Sequence, residues 1–241
     1  MEEALLAWFD GHGRDLPWRR TDDPYAVLVS EVMLQQTQVG RVVPRYVEWL
    51  ERWPTIEAFA AAPLADVIRA WRGLGYNRRA VNLHRAAQHV ADRGWPDDLT
   101  ELPGVGRYTA DAVARFAFGA AVLPLDTNVR RVQERTGATF GPTCAHALMD
   151  LGATVCLARV PRCGICPLRA DCPSQGKRYA PLRKQSRFEG SFRQRRAQTL
   201  RLVAERPRFF DSLDAEATDA LVRDGLVQVA AGTVSLPGES P

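Results

Sequence analysis

Long hydrophobic runs are absent from this chain, and its first 143 residues contain no cysteine. No apolar stretch approaches the roughly 18 residues that a membrane-spanning helix requires, so we expect no membrane association. The sequence opens without a signal-peptide pattern, which predicts a cytoplasmic protein rather than a secreted, disulfide-stabilised one. Its 241 residues, 46% of them hydrophobic, suffice to bury a core in one or two domains.

Strand signals are also missing before Gly225, and apolar residues recur instead at helical spacing. Asp23 and Pro24 open one helix as its cap and first-turn residue. Other helices are expected near residues 2–10, 45–52, 63–71, 77–93, 107–117, 127–136 and 145–155. The sequence therefore predicts a mainly α-helical protein.

The pattern changes after about residue 190. Two amphipathic helices, near 194–206 and 213–224, precede GLVQVAAGTVSLP, which is typical of two short strands around a turn. This order of helix, helix and hairpin predicts a small winged-helix-like module. We expect a main domain at 1–173, a basic linker at 174–192 and the module at 193–241.

Positive charge is concentrated in one segment. The net charge is +4, yet nine basic residues face only one acid, Glu189, in a stretch that is therefore +8, which leaves −4 for the remainder. Such a run favours a polyanionic partner, although a flexible basic linker that binds nothing explains it equally well. The nine are Lys177, Arg178, Arg183, Lys184, Arg187, Arg193, Arg195, Arg196 and Arg201.

Four of the five cysteines follow the pattern C-x6-C-x2-C-x5-C, as Cys156, Cys163, Cys166 and Cys172. Four thiolates so close together indicate a common ligand, which could be zinc or a [4Fe–4S] cluster, and the spacing alone favours zinc. Two disulfides are the alternative, which the absence of a signal peptide argues against.

The segment LPGVGRYT carries two glycines, Gly104 and Gly106, just before an expected helix. Glycines in such a turn let successive backbone N–H groups point outward at a helix N-terminus, where they attract a phosphate. A plain turn between two helices would also explain them.

Several motifs together resemble the adenine DNA glycosylases of the MutY type, within the helix-hairpin-helix (endonuclease III) superfamily. They occur in the family's order and cover residues 1–172, as DPYAVLVSEVMLQQTQV (23–39), GLGY (73–76), LPGVGRYTADAV (102–113), LDTNVRRV (125–132) and ALMDLGATVC (147–156). The resemblance implies a two-lobed helix-hairpin-helix fold and a [4Fe–4S] cluster on the four cysteines. It also implies a monomer that binds double-stranded DNA containing a mispair or damaged base, in the bacterial cytoplasm near the nucleoid.

Two carboxylates are the candidate catalytic groups. Glu31 interrupts the apolar stretch YAVLVSEVML, and burial there would raise its pKa and keep a proton available for the departing base. Asp126 begins an expected helix, so it is either an N-cap or a carboxylate that stabilises positive charge on the sugar. The resemblance assigns the acid role to Glu31 and the sugar-facing role to Asp126.

Tyr108 indicates the type of reaction. Similar enzymes that also cut the strand carry a lysine here, whose amine forms an imine with the sugar, and a tyrosine cannot do so. The resemblance places Tyr108 and Asn128 beside the reacting sugar. We therefore expect base removal by hydrolysis without strand scission.

Base excision also requires that the base be flipped out of the duplex and the gap filled. By resemblance, Gln36 and Tyr76 are the residues that wedge into the base stack. The same resemblance implies that the adenine pocket is surrounded by Arg14, Trp18, Arg19 and Leu34.

The chain departs from the family pattern in three places. The stretch from Val132 to Ala147 is shortened, Ala145 and His146 replace residues that include a polar pocket side chain, and the tail replaces a larger C-terminal domain that recognises oxidised guanine. The sequence predicts a monofunctional glycosylase for adenine opposite guanine or 8-oxoguanine. The alternatives are a glycosylase for thymine or uracil and a non-catalytic DNA-binding iron–sulfur regulator.

Overall fold

The computed structural model describes residues 1–180 and 187–240, so Arg183 and Lys184 of the basic run lie outside the described residues. The protein is mainly α-helical, as predicted. No helix in these two ranges is long and apolar enough to cross a membrane. The helices are α1 (Glu2–His12), α2 (Pro24–Leu34), α3 (Val39–Arg52), α4 (Ile56–Ala60), α5 (Leu64–Ala70), α6 (Arg78–Arg93), α7 (Arg107–Phe116), α8 (Thr127–Thr136), α9 (Ala145–Thr154), α10 (Phe192–Glu205) and α11 (Ala215–Arg223).

The chain forms two compact units. Among the described residues, the first unit comprises 1–27 and 106–180, and the second comprises 28–105 and 187–240. The core of the first unit is formed by apolar residues of α1, α8 and α9, chiefly Leu5, Val129, Val132, Leu148 and Leu151.

The connection from α8 to α9 is short. After α8, Gly137 adopts a left-handed conformation (φ +68°), which ends the helix. A single 3-10 turn at Pro142–Cys144 then leads directly into α9. The stretch from Val132 to Ala147, which is shortened relative to the family pattern, therefore contains no α-helix between α8 and α9.

The C-terminal part of the second unit contains three short strands, β1 (Arg208–Phe209), β2 (Gln228–Ala230) and β3 (Thr233–Ser235). They form an antiparallel sheet in the order β1-β3-β2, and β1 was not foreseen. α10, α11 and β3 bury apolar side chains against α5 and α6 in one cluster that includes Leu200, Val203, Leu221, Val234, Ile68 and Val81. This segment therefore shares a core with the preceding helices, and the boundary of a separate module at 193 stays a prediction.

Candidate functional site

Glu31 lies on α2 among side chains that are almost all buried. It is only 6% exposed, and Leu28 and Val32 on the same helix are 1% and 4% exposed. This burial agrees with the position of Glu31 in an apolar stretch of the sequence.

Asp126 is the N-cap of α8, and both of its carboxylate oxygens accept hydrogen bonds. The backbone N–H of Val129 donates to Oδ1 at 2.6 Å. Asn128 Nδ2 donates to Oδ2 at 2.9 Å. The carboxylate therefore caps the helix and is also held in one orientation by a neighbouring amide.

Arg131 extends this network towards the cysteine segment. Its Nη2 donates to Asn128 Oδ1 at 2.7 Å and to the carbonyl of Gly152 at 2.7 Å. Its Nε donates to the carbonyl of Cys156 at 2.8 Å. Burial lowers the pKa of Arg131 from its usual value. Arg131 was not predicted as a site residue, although its spacing of three from Asn128 puts both on one helical face.

The four predicted ligand cysteines line a common pocket. All five cysteines lie in the described residues and none forms a disulfide, so the disulfide alternative is not supported. No three His, Cys, Asp or Glu side chains among the described residues are placed to hold a single metal ion.

Hydrogen bonds around this pocket suit thiolate sulfurs. Arg135 Nη1 donates to Cys156 Sγ at 3.4 Å, and the backbone N–H of Gly176 donates to Cys163 Sγ at 3.4 Å. Arg135 also donates to the carbonyls of Leu157 (2.8 Å) and Ala158 (2.7 Å). The donor set and these N–H groups fit a group bound by four thiolates.

Two of the predicted pocket residues, Arg14 and Arg19, bind the same buried carboxylate. Asp150 on α9 has a fully buried side chain. Arg14 Nε donates to its Oδ1 at 2.7 Å, and Arg19 donates to both oxygens, at 2.7 and 2.9 Å. Burial would raise the pKa of Asp150, but the hydrogen bonds from Arg19 and Arg14 outweigh it and lower the pKa. Asp150 was not singled out from the sequence, although it is the one acid in the apolar stretch ALMDLGA.

His146 lies near Arg19 and Asp150, and its ring is neutral at neutral pH. Its ring stacks on Phe116, with centroids 4.2 Å apart and planes at 16°. Burial, followed by the positive charge of Arg19, lowers the pKa of His146 to about 4. Trp18, a further predicted pocket residue, is 8% exposed.

The two predicted wedge residues share an unusual backbone conformation. Gln36 has φ +57° and Tyr76 has φ +45°, a region that residues other than glycine rarely adopt. Arg79 holds both loops, since it donates to the backbone oxygens of Val32 (2.6 Å), Met33 (3.1 Å), Gln35 (2.7 Å), Leu74 (3.1 Å) and Gly75 (3.0 Å). Burial lowers the pKa of Arg79 to about 10, so it stays charged at neutral pH.

The two glycines of the turn before α7 have different structural roles. Gly104 has φ +78°, and a Cβ atom there would lie 2.7 Å from the Cβ of Asn82, so only glycine fits. Gly106 is the N-cap of α7 and has open space around its Cα, which leaves the helix N-terminus accessible. Tyr108 is half-buried in the first turn of α7.

The predicted site residues are divided between the two units. The first unit contains Gly106, Tyr108, Asp126, Asn128, Arg14, Trp18, Arg19 and the four cysteines. The second unit contains Glu31, Leu34, Gln36, Tyr76 and Gly104.

Known proteins with similar sequences belong to one family of DNA repair enzymes. Residues 29–146 match the family described as HhH-GPD superfamily base excision DNA repair protein. The chain is 44% identical to the adenine DNA glycosylase of Mycolicibacterium smegmatis, over 98% of this chain and 95% of the relative. That alignment spans 280 positions, more than the 241 residues of this chain, so the relative contains residues that this chain lacks.

Solved structures show the same fold. A thermostable thymine-DNA glycosylase matches with a TM-score of 0.66 and 28% identity, over 72% of this chain and 94% of that one. A trapped endonuclease III–DNA covalent intermediate matches with a TM-score of 0.63 and 25% identity, over 72% and 92%. The chain therefore belongs to the adenine DNA glycosylase family, within the HhH-GPD superfamily of base excision DNA repair proteins.

Proposed function

We propose that the protein is a monofunctional DNA glycosylase that hydrolyses the N-glycosidic bond of adenine mispaired with guanine or 8-oxoguanine. The observation that carries this proposal is Glu31, a carboxyl group 6% exposed on an apolar helix. Adenine leaves poorly as an anion and well once a ring nitrogen is protonated, and a buried carboxyl group is a suitable proton donor.

Asp126 is the second functional group. As adenine leaves, positive charge develops on the sugar, and a carboxylate of fixed orientation stabilises it without having to reorganise. The hydrogen bonds from Val129 and Asn128 supply that fixed orientation. Tyr108 has no amine, so the reaction ends at an abasic site.

The four cysteines would hold a [4Fe–4S] cluster. In such a cluster each thiolate binds a different iron, whereas zinc requires four sulfurs at about 2.3 Å from a single ion. Four thiols in one pocket, together with the resemblance to iron–sulfur members of the superfamily, support the cluster. A bound cluster would maintain the shape of this segment, since hydrolysis moves no electrons.

The C-terminal segment would act as a winged-helix-like module on the same DNA. Its helices and antiparallel hairpin support this proposal.

Thymine is the second candidate substrate, because Ala145 and His146 replace residues that in typical members include a polar pocket side chain, and a thymine-DNA glycosylase has the same fold. One assay separates the candidates. Duplexes that each contain one mispair of adenine, thymine or uracil are incubated with the protein, and abasic sites are then revealed by alkali. We expect cleavage only at adenine opposite guanine or 8-oxoguanine, and cleavage at thymine or uracil alone would overturn the proposal.

The substitution Glu31→Gln tests whether Glu31 is the general acid. Glu31→Gln should retain DNA binding while base release falls by about a hundredfold or more, the scale of losing a general acid. Full turnover by this variant would show that another group protonates the base.

A further inference from the structure

The pocket lined by the four thiols has walls of two kinds. Apolar side chains from the core of the first unit, each at most 3% exposed, form its inner wall: Val132, Leu151, Val155 and Leu168. On the opposite side it is lined by Ser174 and Gln175, which follow the last cysteine in the chain. Gln175 is an exposed residue, so the segment after Cys172 lies between the thiols and the solvent.

This segment, residues 174–179, is called the cover below, and backbone hydrogen bonds hold it against the cysteines. The N–H of Gly176 donates to Cys163 Sγ at 3.4 Å. The N–H of Tyr179 donates to the carbonyl of Arg159 at 3.0 Å, and Arg159 belongs to the stretch between the first two cysteines. The cover is therefore attached at both of its ends to the segment that carries the ligands.

The side chain of Tyr179 makes a third attachment. Its ring lies under the guanidinium of Arg135, whose Cζ is 3.8 Å from the ring centroid. Arg135 is only 7% exposed, and its Nη1 donates to Cys156 Sγ at 3.4 Å. An aromatic ring attracts a guanidinium at this distance and restricts its orientation. Tyr179, itself half-buried, therefore acts on Cys156 through Arg135.

The cover thus affects two ligands at once. Gly176 supplies an N–H group to Cys163, and Tyr179 holds the arginine that supplies one to Cys156. Hydrogen bonds to the sulfurs and exposure to solvent are two of the properties by which a protein controls an iron–sulfur site. Displacement of the cover would weaken both hydrogen bonds and admit water to the thiolates.

We propose that the cover shields the cluster site from solvent and chelators, and that the stacking of Tyr179 on Arg135 keeps it closed. Tyr179 is then a positioning residue for the cluster site and not a ligand. The nature of the bound group rests on the proposed function, whereas the closed cover rests on the contacts given above.

The first test measures how fast the protein, purified without oxygen, loses its iron to an excess of chelator, as followed by visible absorption. Tyr179→Ala should lose iron about ten- to a hundredfold faster than the unmodified protein, which is the scale on which removal of an outer-shell partner weakens metal binding. Tyr179→Phe should lose iron at nearly the unmodified rate, because it keeps the ring that stacks on Arg135.

Two further variants separate stacking from bulk. Tyr179→Leu keeps an apolar side chain but has no ring face for the guanidinium, so it should lose iron nearly as fast as Tyr179→Ala. Phe118→Ala is the matched control and should leave the rate unchanged, since Phe118 is an aromatic residue of the same unit, 51% exposed, that does not line the pocket. A rate for Tyr179→Leu as low as that of Tyr179→Phe would refute the stacking on Arg135.

The second test does not require iron. A bulky maleimide is added to the same proteins in a Cys144→Ala background, so that only the four pocket thiols react. Tyr179→Ala should be alkylated about tenfold faster or more, because its thiols gain access to solvent, and Tyr179→Phe should not. Alkylation rates of Tyr179→Ala and the unmodified protein that are equal, at equal melting temperatures, would overturn the proposal. If the purified protein contains no iron, the proposed cluster fails alone, because alkylation still decides the cover.

Discussion

A Cβ atom on Gly152 would lie 2.5 Å from the Cβ of Asn128, so α9 approaches α8 at a point where only glycine fits. The close approach also lets Arg131 bind Asn128 Oδ1 and the carbonyl of Gly152 at once. The orientation of Asn128, and through it that of Asp126, therefore depends on a residue with no side chain.

Gly152→Ala should slow base release by about a hundredfold, because a displacement of about 1 Å at a reacting group has that scale. Single-turnover kinetics at saturating DNA measures the effect. Gly11→Ala is the matched control, since Gly11 is also helical and has nothing within 4 Å of its Cβ position. Equal rates for the two variants would show that the position of Asn128 does not matter for catalysis.

Asp126→Asn separates the capping role of this residue from its charge. Asparagine caps a helix about as well as aspartate, so the melting temperature should hardly change. Base release should fall by about 100- to 1000-fold, since the negative charge beside the sugar is lost. Asp214→Asn is the control, because Asp214 caps α11 in the same way through Ala217 N–H at 2.8 Å. A large loss of stability with unchanged turnover would leave Asp126 as a cap only.

The stability of the protein should fall as the pH drops from about 6.5 towards 4. His146 has a pKa lowered to about 4 by burial, whereas the unfolded chain protonates it near its usual 6.5. The unfolded state thus binds more protons in this range, and the loss is at most about 3 kcal/mol. Urea unfolding of His146→Gln against pH should show a shallower decline, with the remainder from His84, whose pKa burial also lowers, and, near pH 4, from Asp150, whose pKa Arg19 and Arg14 lower. An identical pH profile for the variant would contradict this assignment.

The protein purified without oxygen should be brown and contain about four iron atoms per chain. Cys166→Ala should lose both colour and iron, because it removes one of the four thiols that line the pocket. Cys144→Ala should keep both, since Cys144 lies in the apolar core of the first unit. Iron analysis and visible absorption decide the matter, and a colourless protein with one zinc ion would refute the cluster.

Much of the fold could be predicted from the sequence, because most helices have strong periodicity and clear ends. α8 begins after Asp126 and ends before Gly137, and its bounds match those expected. α4 was missed because it has only five residues, too few for periodicity to appear. β1 was missed because it has two residues and forms only by pairing with β3.

The site was predictable where a residue acts through local chemistry and not where it acts through a distant partner. Asp126 and Asn128 stand together in one motif. Asp150 is recognisable only once Arg14 and Arg19, more than 130 positions away, are seen to bind it. Arg79 likewise looks like an ordinary helix-surface arginine until its carbonyl partners on two loops are known.

The expected product is an intact DNA strand that carries an abasic site. With Tyr108 in the first turn of α7 instead of an amine, the DNA strand should stay intact until alkali or heat breaks it at the abasic site. Borohydride should trap no covalent adduct, in contrast to the trapped intermediate of the endonuclease III relative. Tyr108→Lys should introduce only weak strand cleavage and weak trapping. The site is half-buried, so it lowers the pKa of a lysine only a little and leaves most of the amine protonated. Tyr108→Phe is the control that should yield neither, and efficient trapping by the unmodified protein would mean that another amine attacks the sugar.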